Sequence, residues 1–225
     1  MLNLLFEQDR NKSFQILCLG AHSDDIEIGC GGTILKLIQT YPNLSFYWVV
    51  FGASEQRAFE AQASAELFLT HVGKKHICIK EFKDSFFPYS GAEIKLFFEE
   101  LKQDFAPDLI FTHYRHDLHQ DHRVISDLTW NTFRDHLILE YEIPKYDGDL
   151  GVPNVFMHLD EVACHRKVQL LLESFGTQRN KDWFSMDTFY ALLRLRGMEC
   201  KSPSKYAEAF YCRKMVLMKI EEQNQ

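Results

Sequence analysis

Proline is scarce, with six residues in 225, and no stretch approaches the roughly 18 consecutive apolar residues of a membrane span. A collagen-like or proline-rich extended chain is excluded, and membrane insertion is not expected. Basic residues are outnumbered: 25 Lys and Arg stand against 32 Asp and Glu, a net charge of -7. That balance argues against a nucleic-acid footprint or a polybasic membrane surface, and makes small molecules the expected partners. The six cysteines, Cys18, Cys30, Cys78, Cys164, Cys200 and Cys212, form no CxxC pair and no dense framework. Reduced thiols in apolar surroundings are expected rather than a disulfide scaffold. Met1 to Phe14 mixes acids, bases and amides without the apolar centre of a signal peptide, so the expected location is the cytoplasm. The remaining composition, 46% hydrophobic and 25% charged, is that of a globular chain. Its length suits one domain over 1–225.

Short apolar segments bounded by turn residues alternate with longer segments of helical period, the pattern of repeated βα units on a parallel sheet. The fold class expected is therefore α/β and Rossmann-like, a mostly parallel sheet flanked by helices. Phe14 to Ala21 reads as a buried strand, and Thr33 to Ile38 as a helix after a polar, glycine-rich turn. Strands are expected at 44–51, 76–79, 107–113, 137–142 and 155–158, with a closing strand from Ala209 to Met218. Helices are expected at 55–70, 93–103, from near His122, and at 161–174. In the helix at 55–70, the spacing of Phe59, Ala63, Leu67 and Phe68 predicts the buried face. Asp84 to Ser90 reads as an aromatic loop. In an open parallel sheet the first strand is central and the fourth commonly lies beside it where the winding reverses. Two unusual polar clusters, after the first and fourth strands, would then meet at one edge.

The first cluster is Ala21-His22-Ser23-Asp24-Asp25-Ile26-Glu27-Ile28-Gly29-Cys30-Gly31-Gly32-Thr33. An imidazole and two adjacent carboxylates at the end of a buried strand are costly to desolvate unless a cation compensates them, and a divalent metal does so most simply. A helix-capping Asp is the bland alternative. The glycines do not fit G-x-G-x-x-G, and the acids before them would repel phosphate. They are expected to permit a tight turn and close packing of the following helix on the sheet.

The second cluster, His113 to Arg123, holds four of the ten histidines at spacings of three: His113, His116, His119 and His122. On an incipient helix His119 and His122 share a face. They flank Asp121 and are the stronger candidates, while His113 and His116 fit structural roles. His22, one Asp and one of these histidines form a two-histidine, one-carboxylate site with open positions, as catalytic zinc centres require. The same set serves non-haem Fe(II) oxygenases. A spare carboxylate suits a base toward water, and a spare histidine suits oxyanion stabilisation or protonation of a leaving amine.

AHSDDIEIGCGGT from Ala21 and HQDH from His119 resemble the A-H-P-D-D-E, G-C-G-G-T and H-P-D-H motifs of the LmbE-like, or PIG-L, zinc-dependent N-acetylglucosaminyl deacetylases. Arg57 and Glu60 match a family R-x-x-E pattern, and Tyr206 to Phe210 resembles a late AEAF segment. The resemblance implies His22, Asp25 and His122 as zinc ligands, Asp24 as general base, and His119 as oxyanion stabiliser or acid, oriented by Asp121. Arg57 would contact a substrate hydroxyl or phosphate; a salt bridge to Glu60 or Glu55 is its alternative. Glu208 would face substrate or be structural. Ser23 and Gln120 stand where the family has proline, which removes fixed backbone angles but no reacting group.

The implied reaction is hydrolysis of the acetyl amide of an N-acetylated sugar or sugar conjugate. The alternatives are an oxygenase that uses Fe2+ in the same triad and a catalytically silent metal- or sugar-binding module. Phe86, Phe87 and Tyr89 are candidates for a sugar-stacking wall or for core and subunit contacts. The aromatic content of 14% fits a homo-oligomer interface.

Overall fold

A computed structural model describes residues 12–216. Residues 1–11, most of the segment read as lacking a signal peptide, lie outside the described residues, as do the last two of the expected closing strand.

Seven strands form one sheet in the order β3-β2-β1-β4-β5-β7-β6. The central strand β1 (Phe14–His22) pairs in parallel with β2 (Leu44–Gly52) on one side and β4 (Leu109–His113) on the other. Outward from these lie β3 (Lys74–Ile79) and β5 (Leu137–Tyr141), also parallel. Only β7 (Tyr206–Tyr211) runs antiparallel, between β5 and β6 (Val155–Leu159). Ile16, Leu17, Cys18 and Leu19 of β1 are fully buried, as a strand covered by helices on both faces requires. One face carries α1 (Asp25–Thr40), α2 (Glu55–Phe68), α5 (Glu161–Ser174) and α6 (Met186–Glu199). Its core includes Ile26, Trp48, Phe68, Phe111, Val168 and Leu193. The other face carries α3 (Gly91–Asp104) and α4 (Gln120–Thr132), over Leu19, Phe51, Phe98 and Ile125. The chain is thus an α/β domain with a mostly parallel sheet, and β1 and β4 lie side by side where the order reverses.

Several sequence expectations need correction. The glycine-rich segment is not a turn before a helix at Thr33, because α1 begins at Asp25 and runs through it. A Cβ on Gly29 would lie 2.1 Å from the Tyr141 ring, and one on Gly32 would lie 2.5 Å from Leu159. Glycine there serves close approach, and tertiary packing outweighs its low helix propensity. In α2 the buried face is Glu60, Ala61, Ser64, Ala65 and Phe68, whereas Phe59 and Leu67 are exposed. The small residues bring the helix close to its neighbours, so the bulky ones face out. Helix α6 was not anticipated, and β7 starts at Tyr206 and ends at Tyr211. Within the aromatic loop Phe87 is fully buried, while Phe86 and Tyr89 are exposed. All six cysteines are free, four of them buried.

Candidate active site

The ends of β1 and β4 place the two clusters against one another. His22 is the last residue of β1, Asp24 the N-cap of α1 and Asp25 its first residue. Neither carboxylate caps the helix. Asp24 makes no side-chain cap hydrogen bond, and Asp25 Oδ2 accepts the His22 backbone N–H at 2.6 Å instead. From the second cluster, His113 ends β4, His119 is the N-cap of α4, and Asp121 and His122 lie in its first turn.

The three expected ligands converge. His22 Nδ1 lies 3.2 Å from His122 Nε2 and 3.4 Å from Asp25 Oδ2, and Asp25 Oδ1 lies 3.6 Å from His122 Nε2. All three side chains are buried. Other side chains also come within reach. Among the described residues, His22, His119 and His122 bring one ligand atom each within 4.8 Å of one another, as do Asp25, His113 and His122. So do His22, Asp84, His119 and Asp121.

Each imidazole of the central pair is held from behind by a carboxylate. His122 Nδ1 is 2.9 Å from Asp117 Oδ2, so its Nε2 is left for the centre. His22 Nε2 is 3.1 Å from Asp121 Oδ2 and 3.3 Å from Asp84 Oδ1. The expected contact of the Asp121 carboxylate with His119 is therefore not what the structure shows. That carboxylate also accepts the backbone N–H groups of Ser85 (2.6 Å) and Phe87 (3.1 Å), which fasten the aromatic loop over the site. It is the Asp121 backbone N–H that meets His119, donating to Nδ1 at 3.3 Å and leaving the proton of the neutral ring on Nε2.

The charges follow from this packing. Burial pushes the Asp24 carboxyl up to about 6, with the neighbouring Asp25 carboxylate adding to the rise, and its Oδ2 is buried without a hydrogen-bond partner. Burial would also raise Asp25, but His122, His113 and His22 outweigh it and hold the carboxyl well below its usual range. Burial and then His113 bring His122 down to about 4, so the ring is neutral at pH 7. His22 moves the other way: burial opposes its charge, but Asp121, Asp25 and Asp84 hold the proton firmly. The His119 pKa is lowered by burial and by His22.

At the mouth, the Arg57 guanidinium pairs with Asp84 Oδ2 at 2.7 Å and reaches Ser23 Oγ at 3.4 Å. Neither Glu55 nor Glu60 is its partner. Glu60 accepts the backbone N–H and hydroxyl of Thr177. Glu208 is structural. Its carboxylate takes the N–H groups of Gly32 (2.8 Å) and Thr33 (2.6 Å) and the Lys167 ammonium (2.6 Å). His116 is exposed on the loop before α4. Sequence reasoning did not single out Asp84, Asp117 or Lys145. Asp117 was open to it, lying five residues before His122 inside the histidine cluster, whereas Asp84 and Lys145 reach the site only through the fold.

Residues 17–133, just over half of the chain, match the family described as GlcNAc-PI de-N-acetylase, PIG-L. The chain belongs to the PIG-L family. Its fold is that of 4-carboxy-2-hydroxymuconate hydratase from Pseudomonas putida, at a TM-score of 0.72 and 15% identity, covering 92% of this chain and 99% of that one. A conserved protein of Thermus thermophilus aligns at 0.69 and 19% identity, over 91% and 96% of the two chains. The N,N'-diacetylchitobiose deacetylase of Pyrococcus horikoshii aligns at 0.64 and 20%, over 90% and 84%. No curated protein sequence matches significantly. At these identities the neighbours share the PIG-L fold, and a hydratase among them means that the reaction must be argued from the site.

Proposed function

We propose that this chain is a zinc-dependent N-deacetylase that hydrolyses the acetyl amide of an N-acetylated sugar or sugar conjugate. The observation that carries the reading is the orphaned, buried Asp24 Oδ2 beside the converging His22, Asp25 and His122, in a chain of the de-N-acetylase family. Two imidazoles and a carboxylate suit Zn2+, and the set leaves positions open for water and substrate. When bound, zinc supplies Lewis acidity toward the acyl oxygen and makes water a stronger acid.

The protein's own groups divide the remaining work. Asp24, whose carboxyl burial brings to about 6, is ionised at pH 7 yet close enough to that pH to take a proton from the attacking water. Its free oxygen is the acceptor. The water oxygen bonds to the acyl carbon, the carbon–nitrogen bond breaks, and the departing nitrogen takes up the proton that Asp24 accepted from the water. His119, with Nδ1 occupied by the Asp121 backbone N–H, presents Nε2–H as a donor to the oxyanion and to the leaving nitrogen. In this reading Asp121 orients His22, and acts on His119 through its backbone. Arg57 contacts a sugar hydroxyl or phosphate at the mouth, where Ser23 Oγ and Asp84 already fix its direction.

The test is amine release from a panel of N-acetylhexosamine compounds, nucleotide-linked ones included. Metal-stripped protein is reloaded with Zn2+ or Fe2+ beside an Asp24→Asn variant. Zinc-dependent amine release that the variant lacks is the expected result. Zinc binding without amine release from any compound counts against the reading, and iron-dependent oxygen uptake replaces it with an oxygenase.

A further inference from the structure

Behind His122 lies a buried ionic chain that the reaction above does not use. Asp117 Oδ2, which takes His122 Nδ1 at 2.9 Å, is also 2.9 Å from the Lys145 ammonium. Lys145 Nζ in turn lies 2.5 Å from Asp149 Oδ2, and Asp149 Oδ2 accepts the Leu118 backbone N–H at 2.6 Å. The other Asp117 oxygen accepts the His119 backbone N–H at 2.8 Å. None of these ionic side chains is more than 9% exposed: Lys145 9%, Asp149 6% and Asp117 2%. One ammonium thus joins the segment after β5 to the carboxylate that backs His122 and steadies the start of α4.

A lysine is rarely buried without a reason of charge, and here it stands within hydrogen-bond reach of two carboxylates. Without it those carboxylates repel one another, and the repulsion pushes Asp117 Oδ2 away from His122 against the single backbone bond from His119 that still anchors the other oxygen. Its hydrogen bond to Nδ1 is what keeps the imidazole in the tautomer whose Nε2 lone pair faces the centre. Outer carboxylates of this kind fix the direction and basicity of a metal-ligating histidine. We infer that Lys145 is a positioning residue for the metal centre, acting on His122 through Asp117. The inference rests on the reading of His22, Asp25 and His122 as zinc ligands.

The experiment measures zinc affinity of the full chain by competition with a chromophoric chelator, for wild type, Lys145→Gln, Asp117→Asn and the double variant. Each protein is first shown to have the wild-type circular dichroism, and Lys145→Met is read in place of Lys145→Gln if the latter does not fold. Lys145→Gln is expected to bind zinc about tenfold more weakly, within the range typical of lost outer-shell partners. Asp117→Asn is expected to lose at least as much, and the double variant no more than Asp117→Asn alone, because Lys145 then has nothing to act through. Lys145→Arg, which keeps the charge between the two carboxylates, is expected to lose less affinity than Lys145→Gln. A Lys145→Gln variant that binds zinc as wild type does, or losses that multiply in the double variant, overturns the positioning role. A wild-type chain that binds no zinc overturns the metal-centre reading itself, so the two failures are distinguished.

Discussion

His22 and Asp121 are partners across 99 residues of chain: the imidazole Nε2 at the end of β1 meets the carboxylate in the first turn of α4 at 3.1 Å. The opposite ring nitrogen, Nδ1, faces His122 and Asp25. The same carboxylate holds two backbone N–H groups of the aromatic loop. Replacing Asp121 with Asn removes the charge behind His22 while keeping the shape. Zinc affinity is expected to fall by about 10- to 100-fold, measured by chelator competition.

Asp24→Asn is expected to bind zinc as wild type does and to lose turnover by a factor of about 10² to 10⁴, the scale of a general base. Side-by-side metal analysis and amine release check this. Loss of zinc from the variant would show that Asp24 is a ligand rather than the base.

Glu27, on α1, supplies a pH signature independent of catalysis. Burial pushes its carboxyl up to about 8 from an ordinary 4.5, and neither oxygen finds a hydrogen-bond partner in good geometry. Between those values the folded chain retains a proton that the unfolded chain releases, so this group's contribution to stability falls as pH rises. It is unchanged below about 4.5 and levels off above about 8. Urea denaturation of the metal-free protein from about pH 5 to 9 is expected to show a flatter decline for Glu27→Gln than for wild type.

Gly29→Ala tests the packing of α1. The added Cβ would fall 2.1 Å from the buried Tyr141 ring, whose hydroxyl donates to the Leu19 carbonyl. That ring has no room to retreat, and overpacking of this kind costs about 1–3 kcal/mol. Urea midpoints of the two proteins measure it.

The βα alternation and the central place of β1 were legible because the strand is an unbroken apolar run, and such runs are what a sheet covered on both faces requires. That the two clusters meet was legible too, because both motifs sit at strand ends that topology makes neighbours; the choice of His22, Asp25 and His122 within them came from the family resemblance. Local pattern failed where contacts distant in sequence decide. Ile28 to Gly32 read as a turn because glycine is a poor helix former, yet Tyr141 and Leu159 demand glycine on that helix face. Phe59 and Leu67 read as buried because they are apolar, yet Ala61, Ser64 and Ala65 pack more closely. Helix α6 carries apolar residues on almost every face, Leu195 and Met198 among the exposed ones, so no single stripe announces it. The resemblance gives the Asp121 carboxylate to His119, whereas the fold turns it onto His22, and spacing cannot show which way a side chain turns.

The clasp formed by Glu208 and Lys167 has a consequence for the unity of the chain. Lys167 donates to the Ile28 carbonyl at 2.6 Å, and Glu208 receives the N–H groups of Gly32 and Thr33. The helix that begins with Asp25 is therefore tied by its backbone to side chains from α5 and β7. Both lie beyond residue 133, where the match to the family ends. The stretch bearing every proposed reactive group is consequently braced from outside itself. Its key helix takes hydrogen bonds from the later third of the polypeptide, so a fragment cut at that boundary would carry all the chemistry in its sequence without this brace.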